Sequence, residues 1–178
     1  MVFAIAGRRI DAPDSDTPRF PLRNVGLVSK RVRALLEARK PTALVSSAAC
    51  GADLIALEQA SELGIKYRVI LPFDPDRFRI TSVVDRPGDW GPVYDRLINK
   101  ITSSEDLIVS PSKGASPYET VNRLILNEAE TLAKPSNQRA IAVLVWDGQS
   151  RDGDDLTNAF GDDAMQRGME VLTVSTVD

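Results

Sequence analysis

Short apolar runs alternate along the chain with longer stretches in which apolar residues recur every three or four positions. Residues 2–6 form a continuous apolar run closed by Gly7, Arg8 and Arg9, which predicts a short buried strand. A polar, proline-bearing loop over 11–21 follows. Val25, Val28, Val32, Leu35 and Leu36 then share one helical face, and Pro41 punctuates before a second apolar run at 42–45. A β-α-β unit of this kind crosses over right-handed, which makes its two strands parallel and near neighbours. The alternation continues with a small-residue loop at 46–51, a helix over 52–63 ending at Gly64, and a strand over 66–73. Residues 74–86 are polar and read as a loop or short helix at the strand end.

Trp90, Val93, Tyr94, Leu97, Ile98 and Ile101 predict an amphipathic helix, and 107–110 a short strand. Pro117 opens a helix whose apolar stripe is Val121, Leu124, Ile125, Ala129 and Leu132. Residues 140–146 are the most hydrophobic run, 156–166 a last helix that stops before Gly168, and 170–177 a closing strand. Strands that are apolar throughout, separated by helices, predict an α/β fold: a Rossmann-like, doubly wound, mostly parallel sheet of about six strands with helices on both faces, in one domain over 1–178. Ligands of such sheets sit beyond the carboxyl ends of the strands, where strand order reverses. Residues 7–9, 46–53, 72–77, 110–119 and 146–157 therefore form the candidate site.

Composition narrows the chemistry. The chain has no histidine, which excludes Ser-His-Asp and Cys-His nucleophile activation and every His-containing zinc site. Cys50 is the sole cysteine, so no intrachain disulfide can form and a reducing, cytoplasmic setting is expected. A net charge of −3 gives no global attraction for a polyanion, so nucleic acid is disfavoured as a partner and any phosphate site must be local. There is no 18-residue apolar run and no basic, signal-like start, so neither export nor a membrane span is expected.

The strongest local signal is Ser46, Ser47, Ala48, Ala49, Cys50, Gly51, Ala52 and Asp53, between a strand and a helix. Small side chains there would let a phosphate approach backbone N–H groups at the positive helix end, while the plainer reading is a tight turn with Asp53 as N-cap or helix-start carboxylate. The loop matches neither GxGxxG nor GxxxxGK[ST]. Cys50 sits where a helix N-terminus would lower a thiol pKa, yet no base accompanies it, so it reads as a small residue packed beside the loop. Arg8 and Arg9 could clamp a phosphate bidentately from the opposite side, or form a solvated pair.

Tyr118 and Glu119 open a helix after a loop containing Gly114 and Pro117. Glu119 is the one weak catalytic candidate, as a glycosidic-bond nucleophile or a ribose-hydroxyl acceptor; otherwise it complements the helix dipole. Asp147, Asp152, Asp154 and Asp155 invite a calcium or magnesium reading, but Gln149 and Arg151 break the EF-hand spacing. A solvated acidic loop without metal is expected, with Trp146, Asp147 and Gly148 as a ligand edge.

Together, Gly7-Arg8-Arg9-Ile10-Asp11, the 46–53 loop, Leu71-Pro72-Phe73 and Trp146-Asp147-Gly148 resemble the SLOG superfamily of Rossmann-like domains, which joins LOG-type phosphoribohydrolases, Smf-type DNA-uptake proteins and bacterial sensor domains. The match runs in order over nearly the whole chain and is most similar to the sensor-type members. It implies a nucleotide-derived small molecule over the strand ends, with the loop at Gly51 holding phosphate and the glycine loop after Trp146 completing the site. No cofactor is expected. Where LOG-type hydrolases carry PGGxGT followed by glutamate, this chain has Asp152-Gly153-Asp154-Asp155-Leu156-Thr157, which argues against hydrolysis.

The leading expectation is therefore non-catalytic binding or sensing of a nucleotide-derived ligand. The alternatives are an N-glycosidic-bond enzyme, phosphoribohydrolase or deoxyribosyltransferase-like, and a single-stranded DNA binder. A homodimer through the Trp90, Tyr94 and Leu97 helix or the Val121 and Leu124 helix, or fusion to an effector domain, completes the expected partners.

Overall fold

The structure is a computed structural model, and it describes residues 1–110, 116–151 and 153–178. Six parallel strands form one sheet: β1 (Val2–Gly7), β2 (Ala43–Ser46), β3 (Lys66–Leu71), β4 (Leu107–Val109), β5 (Ala140–Trp146) and β6 (Glu170–Ser175). Their spatial order is β4-β3-β2-β1-β5-β6. The chain thus steps outward from β1 to β4, then returns to the other side of β1, and strand order reverses between β1 and β5. The fold is the Rossmann-like, doubly wound sheet that the apolar runs predict, with every described strand parallel.

The strands alternate within their apolar runs and so feed two cores. Phe3 and Ile5 of β1 with Ile141, Val143 and Val145 of β5 face α1 (Val25–Arg39), α2 (Ala52–Glu62) and, farther along, α4 (Gly91–Asn99). Val2, Ala4, Ala6, Ala142 and Leu144 face α5 (Pro117–Ala133) and α6 (Leu156–Gln166). Alanines at three of those positions let α5 lie close across the centre of the sheet. Each large side chain fully removed from water contributes roughly 1.5–3 kcal/mol.

Two expectations are corrected here. Trp90, Tyr94 and Leu97 are buried against α2 and the 75–83 segment, and Val121 is buried on the sheet, so both stripes proposed as dimer surfaces are core stripes. Residues 74–86 are not a simple loop. Asp74 caps a short helix, α3 (Pro75–Phe78), that widens into a π-helical turn at Arg79–Val83, with Phe78 and Val83 buried. This segment folds back beside the sheet's carboxyl edge. Gly114 and Asp152, both assigned to site loops above, lie outside the described residues.

Candidate functional site

A cavity of about 680 Å³ opens at the carboxyl ends of the strands, where order reverses. That size lies within the usual range for small-molecule sites. Its floor is apolar: Ile5 and Ala6 of β1, Val121 and Ile125 of α5, and Leu156 of α6. Phe78 at the end of α3, Ser82 of the π-helical turn and Arg86 just beyond it form one wall, and Ser47 and Ala49 of the β2–α2 connection with Asp53 in the first turn of α2 form another. The first turns of α2, α5 and α6 all reach it, bringing three positive helix ends towards one space.

The loop after β1 forms the roof. Both carboxylate oxygens of Asp11 accept the backbone N–H groups of Arg19 and Phe20 (3.0–3.2 Å), and the Asp11 amide donates to the Phe20 carbonyl (3.0 Å). Residues 11–20 are thereby pinched into a closed loop, from which Ala12, Ser15 and Thr17 line the cavity.

Arg8 lies at the junction of these parts, and it is not a free phosphate clamp. Its guanidinium is almost fully buried and makes four hydrogen bonds: to Asp147 (2.8 Å), to both oxygens of Asp155 (2.6 and 2.8 Å), and to the Gln149 carbonyl (2.5 Å). It also lies 5.4 Å from the Trp146 ring centroid. Four of the five N–H donors a guanidinium offers are therefore committed. Asp147 is shared with Arg19 (2.8 Å). Asp155 caps α6 by accepting the amides of Thr157 and Asn158. Burial alone would raise the Asp155 carboxyl, but Arg8 and the amides of Arg151 and Asn158 hold it down to about 2. The expected solvated acidic loop is thus a buried ionic junction at Asp147 and Asp155, and Trp146, Asp147 and Gly148 line no part of the cavity.

The 46–53 loop also differs from a phosphate cradle. Ser46, Ala48, Cys50 and Ala52 are buried and away from the cavity, while Ser47, Ala49 and Asp53 line it. Its amides are used internally: Cys50 N–H donates to the Ser82 carbonyl (3.0 Å) and Ala52 N–H to the Arg8 carbonyl (3.1 Å). Gly51, at φ +98, is the N-cap position in place of Asp53. A Cβ there would stand 2.8 Å from the Arg8 carbonyl oxygen, so this glycine lets the start of α2 close against the end of β1. Gly7 serves the same junction, since its Cβ would meet that of Ala52 at 2.5 Å. We expect Gly51→Ala to lower the unfolding free energy by about 2 kcal/mol or more, read by urea titration, because backbone strain and a main-chain clash add.

Cys50 is fully buried, and burial pushes its thiol up against the pull of Arg9, which reverses the lowering expected from the helix end. Arg9 hydrogen-bonds Asp85 and approaches the Cys50 sulfur through Nη2 (3.6 Å). Tyr118 lines the cavity, its hydroxyl 3.3 Å from that of Ser82 and its ring edge-on to Phe73. Glu119 is exposed and outside the lining; its backbone amide donates to the Ser116 side chain that caps the start of α5.

Asp53 is the distinctive carboxyl of the cavity. It is 8% exposed and makes no ion pair among the described residues. Burial pushes it up to about 7, although the Ala49 amide (3.2 Å) and Arg9 pull it down. Two carboxyls of one cavity, Asp53 and Asp155, are thus shifted in opposite directions, one up by burial and one down by Arg8 and backbone amides, an arrangement frequent at functional sites.

Gly7, Arg8, Arg9, Ser47, Asp53 and Tyr118 are brought together as expected site residues, and the remainder are not. Sequence reasoning missed Ser82, Arg86, Asn122, Arg151 and the pairing of Arg8 with Asp155. Asp155 directly before an apolar helix is an N-cap signature that could have been used. Nothing in the sequence marks Arg86.

No family model and no curated protein matches this chain. Among solved structures it is similar to DNA processing protein A (DprA) from Streptococcus pneumoniae, with 16% identity and a TM-score of 0.46 over 96% of this chain. The match covers 57% of that protein, so this chain spans little more than half its length.

Proposed function

We propose that the cavity over the β1 and β5 ends binds a nucleotide or nucleotide-derived small molecule, as a sensor rather than a catalyst. The observation that carries this is the cavity itself: an apolar floor wide enough for a base and ribose, beneath a polar wall and a mouth bearing Arg9, Arg86 and Arg151. The Arg151 guanidinium has no hydrogen-bond partner among the described residues and lies beside Arg8, so an anion there would be welcome. The SLOG resemblance supports the same reading. The test is a thermal-shift titration with AMP, ADP-ribose, NAD, cyclic nucleotides and deoxynucleosides, each sample then chromatographed for free base. A ligand at a hundredfold excess over Kd stabilises by about 2.7 kcal/mol; stabilisation with no base released is expected, and no shift with any compound would contradict the reading.

Released base would instead favour an N-glycosidic-bond enzyme, for which Asp53 is better placed than Glu119 as the acid. Under our reading Glu119→Gln leaves ligand Kd unchanged within about twofold, because an exposed group outside the cavity contributes little. The same panel includes a single-stranded oligonucleotide. With a net charge of −3, we expect it to bind at least tenfold more weakly than the mononucleotide at physiological salt.

A further inference from the structure

Two neighbours in the cavity wall hold unused hydrogen-bonding capacity of the same sense. The Nε of Arg9 is buried with no hydrogen-bond partner among the described residues, although Nη2 is engaged by Asp85 and Cys50. A buried donor without an acceptor is destabilising, and a bound acceptor would relieve that cost. Asp53, which Arg9 influences electrostatically, is buried without a cation of its own. Its Oδ2 accepts only the Ala49 amide (3.2 Å) among the described residues, and the Ser46 hydroxyl is committed to the Ile5 carbonyl (3.1 Å).

We propose that Arg9 and Asp53 form an oxyanion subsite in which Asp53 binds as the neutral acid, donating its proton to a phosphate-type oxygen that the Arg9 guanidinium also holds. The inference rests on the cavity being the ligand site, and it names the ligand group bound there: a tetrahedral oxyanion, either the phosphate of a nucleotide or a free one. An ionised Asp53 would repel that group, so occupancy falls as Asp53 loses its proton.

The other charged groups around the cavity are otherwise engaged or stand at its mouth. From the β1–α1 loop, Arg8 is closed on Asp147 and Asp155, and Asp11 holds the Arg19 and Phe20 amides. From the segment after α3, Asp85 pairs with Arg9, and Arg86 stands 3.9 Å from Asp85. Arg151 and Asp154 come from the β5–α6 loop, Tyr118 from α5, and the Cys50 thiol lies beneath Arg9. With no histidine in the chain, Asp53 is the group here whose charge change is placed near neutral pH.

The test is an NMR titration of wild type, Asp53→Asn and Arg9→Ala with sodium sulfate, AMP and adenosine, at about pH 5.5 and about pH 8.5. If only the protonated state binds and Asp53 titrates near 7, the wild-type Kd for sulfate rises roughly thirtyfold between the two. AMP rises likewise, beyond the change its own phosphate produces, which D53N shares. D53N, an uncharged donor, is expected to bind both with little pH dependence; R9A loses both, and adenosine is indifferent to pH. Loss of sulfate and AMP in D53N at both pH values, or equal wild-type affinity at both, overturns the subsite. Adenosine binding without sulfate or AMP overturns it while leaving the nucleotide reading standing. Sulfate binding with the stated pH profile, but no AMP or adenosine, sustains the subsite for a free oxyanion and overturns the nucleotide reading. If none of the three binds, both fall.

Discussion

Arg8→Ala is expected to lower the unfolding free energy by about 3–5 kcal/mol, the usual cost of leaving buried charges without their partner. Arg8 links three parts of the site. It receives the chain from β1, pairs with Asp147 at the end of β5, and holds Asp155 at the N-cap of α6. All three side chains are 7% exposed or less, so water cannot take over the lost hydrogen bonds. Against a typical total of 5–15 kcal/mol the loss is large, and part of the population would unfold on warming. Urea unfolding at pH 7 measures it. Arg8→Lys supplies a milder variant that keeps the charge but not the fork, and should lose at least about 1 kcal/mol. Converting both acids to amides in the R8A background should recover much of the deficit, since isolated charge is the main penalty. A loss under about 1 kcal/mol in R8A would show that the junction is wet and contributes little.

Wild-type stability is expected to fall as pH rises from about 4 to about 7, and Asp53→Asn to remove that fall. The sign follows from linkage. Asp53 sits near 7 in the folded chain against an ordinary value of 3.8, so between those limits the folded state binds more protons than the unfolded one. Its favourable contribution is complete below about 4 and is lost as pH rises through about 7. At 1.36 kcal/mol per pKa unit this amounts to roughly 2–4 kcal/mol once relaxation is allowed. Asp155 acts in the opposite sense: its carboxyl, held near 2, contributes stability that is present above about 4 and lost as pH falls through about 2. Together they place a maximum near pH 4–5. Urea unfolding at pH 4.5 and 8 checks it, and equal stability of wild type and D53N at pH 8 would contradict the buried-acid assignment.

The architecture was legible because its signals are local and repeated. Apolar runs such as 140–146, a helix opened by Pro117, and stops at Gly64 and Gly168 each report the state of their own segment. The site was less legible because its decisive contacts join distant segments. Arg8 looked like a free strand-end arginine until Asp155 was brought against it from 147 positions away. Glycine and small residues at 46–53 suggested a ligand cradle, yet the same smallness serves the closure of α2 on β1, and composition alone does not separate these uses. Ser82 reaches the cavity from a π-helical turn and Arg86 from the residues just after it, and the sequence carries no periodic signature for that turn. Asp53 was visible as a site residue, but its protonation is set by burial that only the fold supplies.

The central claim, that this cavity is where a nucleotide-derived ligand binds, is tested most directly by backbone amide NMR of the whole chain titrated with AMP at pH 6. Saturable shifts gathered at Ser47, Asp53, Tyr118, Asn122 and Thr157 are predicted, with the opposite edge around Gly168 and Glu170 unmoved. Shifts confined to that opposite edge, or none at millimolar AMP, would contradict it.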